Sequence, residues 1–293
     1  MKPRRHFPVS AVTALRPTPT PTPEQVSIVV GAGSGGAGAT TIALGLAHTL
    51  AERLSVAAVD ATSDGGDLFD RAAARPLTDT SITAAIPASS AASTGGIVLC
   101  GSASLPSSRF DDADFTGPDT GHRRVDPAQS SDLLLLDSVL SSRGVARVFD
   151  LGTAVDAPRA AALRRRALLV LAAPVRAQPL TRLRTVLDRL RWTHGHQALA
   201  GTVVVLTHTV PGSVLDLEPI RAALTPLLAG LIEVPFDPIL AAPGLLDHRQ
   251  IAPPTAHALQ SLSELALRQV GADQRPTTDH RAVASADRRR EQA

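Results

Sequence analysis

The chain of 293 residues carries 29 Lys+Arg against 27 Asp+Glu, a net charge of +2, and Lys2 is its only lysine. That removes Schiff-base, lysine-base and internal lysine-clamp chemistry, and so small an excess sets up no field for sequence-independent nucleic-acid binding. The lone Cys100 excludes an intramolecular disulfide framework and a multi-cysteine zinc site, and aromatics at 2% leave no base-stacking platform.

Residues 1–24 are rich in proline and threonine, with Pro17-Thr18-Pro19-Thr20-Pro21-Thr22-Pro23, and read as an extended, disordered leader. No apolar segment follows Met1-Lys2-Pro3-Arg4-Arg5, so this is not a secretory signal. Short apolar runs at 26–30, 56–59, 97–100, 145–149, 168–171, 203–206 and 231–234 read as buried strands. Helical patterns fall at 41–53, 131–140, 179–192, 217–228 and 255–270. Continuous apolar strands alternating with helices imply an α/β fold with a mostly parallel sheet covered on both faces. In the 179–192 helix, Leu180, Leu183, Val186, Leu187 and Leu190 form one apolar stripe, flanked by Arg182, Arg189, Arg184 and Arg191. Those arginines read as side chains lying over a core-facing helix rather than as a DNA face. Residues 61–130 are irregular, with Ser, Thr, Asp and Gly dense at 88–96 and 111–121, and read as loop around a site. The stretch from 271, ending Asp287-Arg288-Arg289-Arg290, reads as a polar tail with no membrane-anchoring face. The folded domain is thus 25–270, between a leader at 1–24 and a tail at 271–293. No run is long and apolar enough for an integral membrane segment.

The strongest local signal is Gly31-Ala32-Gly33-Ser34-Gly35-Gly36-Ala37-Gly38-Ala39-Thr40-Thr41, between the first strand and the first helix. Glycines there let a row of backbone N–H groups approach an anion, and the helix adds its positive end. Two motifs overlap on it. Gly31-x-Gly33-x-x-Gly36 fits a dinucleotide fingerprint, with Asp60 as the ribose acid of an NAD- or FAD-dependent oxidoreductase. Gly33-x-x-x-x-Gly38-Ala39-Thr40 fits a phosphate loop, with alanine where lysine is expected. The hydroxyls of Thr40 and Thr41 then fall where a Mg²⁺ ligand sits.

Further motifs extend the second reading. Ser34-Gly35-Gly36-Ala37-Gly38-Ala39-Thr40-Thr41 is followed by Asp60-Ala61-Thr62-Ser63-Asp64-Gly65-Gly66-Asp67-Leu68, Val148-Phe149-Asp150-Leu151-Gly152 and Val234-Pro235-Phe236-Asp237-Pro238. In this order, over 26–270, they resemble the MinD/ParA family of deviant Walker-type ATPases. The closest wording is that of the subgroup of CpaE, TadZ and actinobacterial septum-site-determining proteins. The resemblance implies a P-loop fold with ATP and Mg²⁺ as cofactors. It places phosphates on Gly33 to Thr41, the metal on Thr40 and Asp150, water activation on Asp60, and the adenine near Pro235 and Asp237. It implies protein partners in a positioning, secretion or cell-division machinery and leaves open a homodimer and nucleic acid. It places the protein in the cytoplasm, meeting the membrane only through partners.

The departures are Ser34 and Ala39, which stand where the family has its two loop lysines. With no other lysine in reach, the expectation is a degenerate member whose ATP binding and hydrolysis are weak or lost. The enzyme alternative is an active ATPase with a substitute arginine drawn from Arg71, Arg75 or Arg164 to Arg166. Thr207-His208 departs again, where relatives carry an asparagine near the base. His194, His196 and His208 have no cysteine or acid at ligand spacing and read as surface histidines rather than metal ligands. Ser213 and the other serines show no nucleophile elbow.

Overall fold

The computed structural model describes residues 20–62, 67–72, 75–76, 90–101, 127–156, 161, 163–212 and 215–273. The strands among them are β1 (Ser27–Ala32), β2 (Val56–Asp60), β3 (Arg75–Pro76), β4 (Ser90–Thr94), β5 (Ile97–Gly101), β6 (Ala146–Asp150), β7 (Leu168–Pro174), β8 (Thr202–Thr207) and β9 (Gly230–Val234). They form one sheet in the order β3-β4-β5-β2-β6-β1-β7-β8-β9. The seven from β5 to β9 pair in parallel, whereas β3 and β4 form an antiparallel edge. The seven parallel strands coincide with the seven expected from apolar runs, because a strand buried on both faces has no polar side to interrupt it.

The helices are α1 (Ala39–Ala51), α2 (Leu68–Ala72), α3 (Pro127–Ser142), α4 (Ala177–His194), α5 (His196–Ala200), α6 (Glu218–Leu224), α7 (Pro238–Ala241) and α8 (Pro253–Asp273). Alternate residues of each strand serve opposite faces. Ile28 and Val30 pack with Ile42, Leu46, Leu259 and Leu262 under α1 and α8. Val29 and Phe149 pack with Leu136, Leu140, Leu183 and Leu187 under α3 and α4. Each such side chain, fully buried, contributes about 1.5–3 kcal/mol. Leu183, Val186, Leu187 and Leu190 of the α4 stripe are buried as expected and Leu180 is half-buried, while Arg182, Arg184, Arg189 and Arg191 stay exposed. Trp192, two residues from its end, is 89% exposed. Among the described residues no helix is long and apolar enough to cross a membrane.

The structure differs from the sequence reading in three places. Residues 90–94, expected as loop, form strand β4, turned onto β5 through Gly95 (φ 48°) and Gly96 (φ 86°). A Gly-Gly pair with both φ positive makes the two-residue turn that matches strand twist. The helix expected at 217–228 shortens to α6. The end of the leader is also held: Pro23–Gln25 is a 3-10 turn whose Glu24 carbonyl accepts from Arg147 Nη1 (2.7 Å) and Ser141 Oγ (2.9 Å). Arg147 is itself buried, with Nε on Asp137 Oδ1 at 2.9 Å, so one ion pair ties the chain's entry to α3 and β6. Residues 1–19, the polar tail beyond 273, Ser213 and the 111–121 segment lie outside the described residues.

Candidate functional site

β1 and α1 are joined by the glycine-rich turn, and the five glycines divide into two kinds. Gly31 and Gly33 are packing positions. A Cβ on Gly31 would stand 2.2 Å from Val155 Cγ2, and one on Gly33 would stand 3.3 Å from Val186 Cγ2. Gly35, Gly36 and Gly38 face open space, with nothing within 4 Å of an added Cβ. Gly36 (φ 68°) and Gly38 (φ 82°) also need the left-handed backbone, but Gly35 has neither constraint. Nothing in the protein itself requires a glycine at 35, which suits a surface that something else approaches closely.

That surface is the floor of an open cavity of about 520 Å³, lined by Ser34 to Ile42 and by Thr62, Asp67, Arg71, Gly152, Thr207, His208, Pro235 and Asp237. The volume is in the range of small-molecule and cofactor sites. It lies at the carboxyl ends of the parallel strands, where open α/β sheets bind ligands. The Thr207 hydroxyl donates to the Ala37 carbonyl at 3.1 Å, fixing the turn from β8.

Asp60 and Asp150 do not line the cavity. They sit behind it, 2% and 0% exposed, opposite one another in the parallel register of β2 and β6. Asp60 Oδ1 accepts from the Thr62 N–H (3.0 Å) and the Thr62 hydroxyl (2.6 Å). Asp150 Oδ1 accepts from the Gly152 N–H at 2.9 Å, but its Oδ2 is buried with no partner. Burial pushes the Asp150 carboxyl up to about 6; Thr40 and the Gly152 amide oppose the rise, and the charges of Asp60 and Asp67 add to it. An unsatisfied carboxylate oxygen beside a threonine hydroxyl is the donor set of a hard divalent cation, so the residues present fit Mg²⁺. Among the described residues no cluster of three or more His, Cys, Asp or Glu forms a metal site on its own.

Asp237 and Pro235 are brought to the cavity, but the Asp237 carboxylate is fully engaged. Its Oδ1 accepts from the Ile239 N–H (2.9 Å) and its Oδ2 from the Ala252 N–H (2.8 Å), so it caps α7 and holds the start of α8. His208, read from sequence as a surface histidine, lies in the cavity wall with Nε2 on Glu233 Oε1 at 2.6 Å. Burial disfavours the Glu233 charge, yet His208 and Arg221 outweigh it and its carboxyl sits below the usual range. His194 and His196 are exposed, at the end of α4 and the start of α5.

The three arginine candidates separate. Arg164 to Arg166 line a different cavity of about 780 Å³, beside Leu168 and Thr202 at the opposite ends of β7 and β8. The side chain of Arg75 lies outside the described residues. Arg71 reaches the site: its Nη2 donates to Thr41 Oγ1 at 3.2 Å. No sequence signal distinguished it, since its position depends on α2 packing beside α1 and α7.

No protein-family model matches the sequence, and no curated protein matches it. Solved structures do match in fold. A ParA family ATPase from Chlorobium tepidum TLS is 16% identical with a TM-score of 0.51, covering 85% of this chain and 97% of that one. The ATP complex of a McdA variant from Cyanothece is 16% identical with a TM-score of 0.51, covering 82% and 96%. Cobyrinic acid a,c-diamide synthase from Mycobacterium smegmatis, with bound ATP analogue and magnesium, is 14% identical with a TM-score of 0.50, covering 85% and 98%. The fold is that of the ParA family ATPase and of the two ATP-binding neighbours beside it. The strand order disfavours the dinucleotide reading: β6 stands between β1 and β2 and brings Asp150 beside the loop, whereas a Rossmann sheet pairs its first two strands directly.

Proposed function

We propose that this chain is a degenerate ParA/MinD-type P-loop protein, of the CpaE, TadZ and septum-site-determining kind. It holds nucleotide weakly and acts as a positioning or assembly factor in cell division, secretion or pilus machinery, or DNA partition. It does so in the cytoplasm, through protein partners and in a homodimer. The observation that carries this is the open cradle at Gly35, Gly36 and Gly38 with neither Ser34 nor Ala39 able to charge it. Gly33 to Thr41 would hold the phosphates through backbone amides. Thr40 and Asp150 would hold Mg²⁺, whose part is to neutralise charge on the phosphate oxygens. Asp60 would orient a water, and Pro235 would flank the base.

A charge-assisted hydrogen bond is worth ~1.5–3 kcal/mol, so each missing lysine costs roughly 10–100-fold in affinity. Hydrolysis suffers more, because cations at the γ-phosphate act mainly on the transition state. Isothermal titration with Mg·ATP and a phosphate-release assay test this. Weak binding without turnover is expected, and turnover equal to that of lysine-bearing P-loop ATPases overturns it. Arg71 beside Thr41 favours a second reading, an active ATPase with a substitute arginine; there Arg71→Ala abolishes ATP-dependent dimerisation and phosphate release together.

A further inference from the structure

Among the described residues, Arg71 is the one arginine lining the cavity. Its side chain crosses from α2 to the segment around α7. Nη1 donates to the Ala242 carbonyl at 2.6 Å and Nη2 to the Leu240 carbonyl at 3.1 Å, besides its bond to Thr41. Its own carbonyl accepts from the Leu246 N–H at 2.7 Å. The guanidinium is therefore held in one place by neutral acceptors, and among the described residues no carboxylate forms an ion pair with it. Its charge stays available to the cavity, and a planar guanidinium suits a phosphate.

The charge of the cavity is thus divided. The α7 side carries Arg71. The other side carries Asp67 in its wall, with Asp60 and Asp150 buried side by side behind it. A phosphate on the loop amides near Thr41 meets a cation. A terminal phosphate carried on toward Thr40 faces the Asp67 carboxylate and, with alanine at 39, no side-chain cation, while any Mg²⁺ held by Thr40 and Asp150 is common to a diphosphate and a triphosphate.

Resting on the nucleotide reading above, we infer that the cavity takes a nucleoside diphosphate in preference to a triphosphate, with Arg71 as the residue that binds its phosphate. The third phosphate that lysine-bearing loops reward gains nothing here from the chain itself.

The experiment is isothermal titration of the full chain with ADP and ATP, each with Mg²⁺, for wild type, Arg71→Ala and Arg71→Lys, at low and raised salt. ADP is expected to bind at least as tightly as ATP. Arg71→Ala is expected to weaken ADP binding about 10–100-fold and to flatten its salt dependence, with Arg71→Lys recovering part of both. A purely structural Arg71 would change the melting temperature without changing the salt dependence. Should Arg71→Ala not fold, Arg71→Gln keeps a donor for the Leu240 carbonyl while removing the charge. Wild type preferring ATP about tenfold or more, or an unchanged ADP affinity in the Arg71 variants, overturns this inference and leaves the nucleotide reading standing. Wild type binding neither nucleotide overturns both.

Discussion

Asp150→Asn should make the protein more stable at neutral pH. Asp150 is fully buried, its Oδ2 has no partner, and its carboxyl is raised from 3.8 to about 6. A raised carboxyl binds its proton more tightly folded than unfolded, so its contribution weakens stability as pH climbs from about 4 to 6 and stays unfavourable above. That rise corresponds to ~3 kcal/mol at pH 7.5. For a domain of this size that is roughly 6–12 °C in melting temperature. Asparagine removes the charge at nearly constant volume, and its amide can donate toward the neighbouring Asp60. The assay is urea or thermal unfolding of both proteins from pH 3.5 to 8. The variant should be the more stable above pH 6, and the difference should shrink toward zero below pH 4. Added Mg²⁺ should raise the wild-type melting temperature above pH 6 and do so far less in the variant. A variant no more stable than wild type at pH 7.5, or a difference that persists at pH 3.5, would refute the buried-charge argument.

Gly31→Ala should destabilise by about 1–3 kcal/mol, because its Cβ would stand 2.2 Å from Val155 Cγ2. Gly35→Ala should leave the melting temperature unchanged and weaken nucleotide binding in titration. Ala39→Lys should tighten Mg·ATP binding roughly 10–100-fold, measured by the same calorimetry; no change would show that the loop no longer presents phosphates to that position. His48 stacks on His248 with ring centroids 4.8 Å apart. Burial, with the His248 charge adding, lowers its pKa to about 4, against the backbone contact at Gly95. Such a group binds protons only when unfolded between pH 6.5 and 4, so stability is lost as pH falls through that window. His48→Phe should flatten this acid limb in urea unfolding while preserving the ring stack.

The fold was legible because strands buried on both faces leave apolar runs, and the loop because Gly33 to Thr41 concentrates glycine where a strand meets a helix. Strand β4 was hidden in Ser90-Ala91-Ala92-Ser93-Thr94, which alternates no large apolar residue and owes its pairing to β5 alongside. The Gly95-Gly96 pair was its one available signal. The roles of Arg71 and Asp237 were illegible for a different reason. Arg71 meets Ala242 across 171 residues of sequence, and Asp237 is committed to Ala252 by packing that no local pattern announces. Asp60 and Asp150 were legible as strand-end acids, but their burial side by side depends on β6 inserting between β1 and β2.

The one thiol of the chain offers a clock. Cys100 lies in β5, fully buried between Val59 of β2 and Ala91 of β4, and burial pushes its thiol up to about 12. Only a thiolate reacts with a disulfide reagent. Labelling in native buffer must therefore wait for the β4–β5 edge to part from the sheet. With no second sulfhydryl to confuse the signal, the rate of colour release would time that opening directly, and would show whether filling the distant cradle slows it.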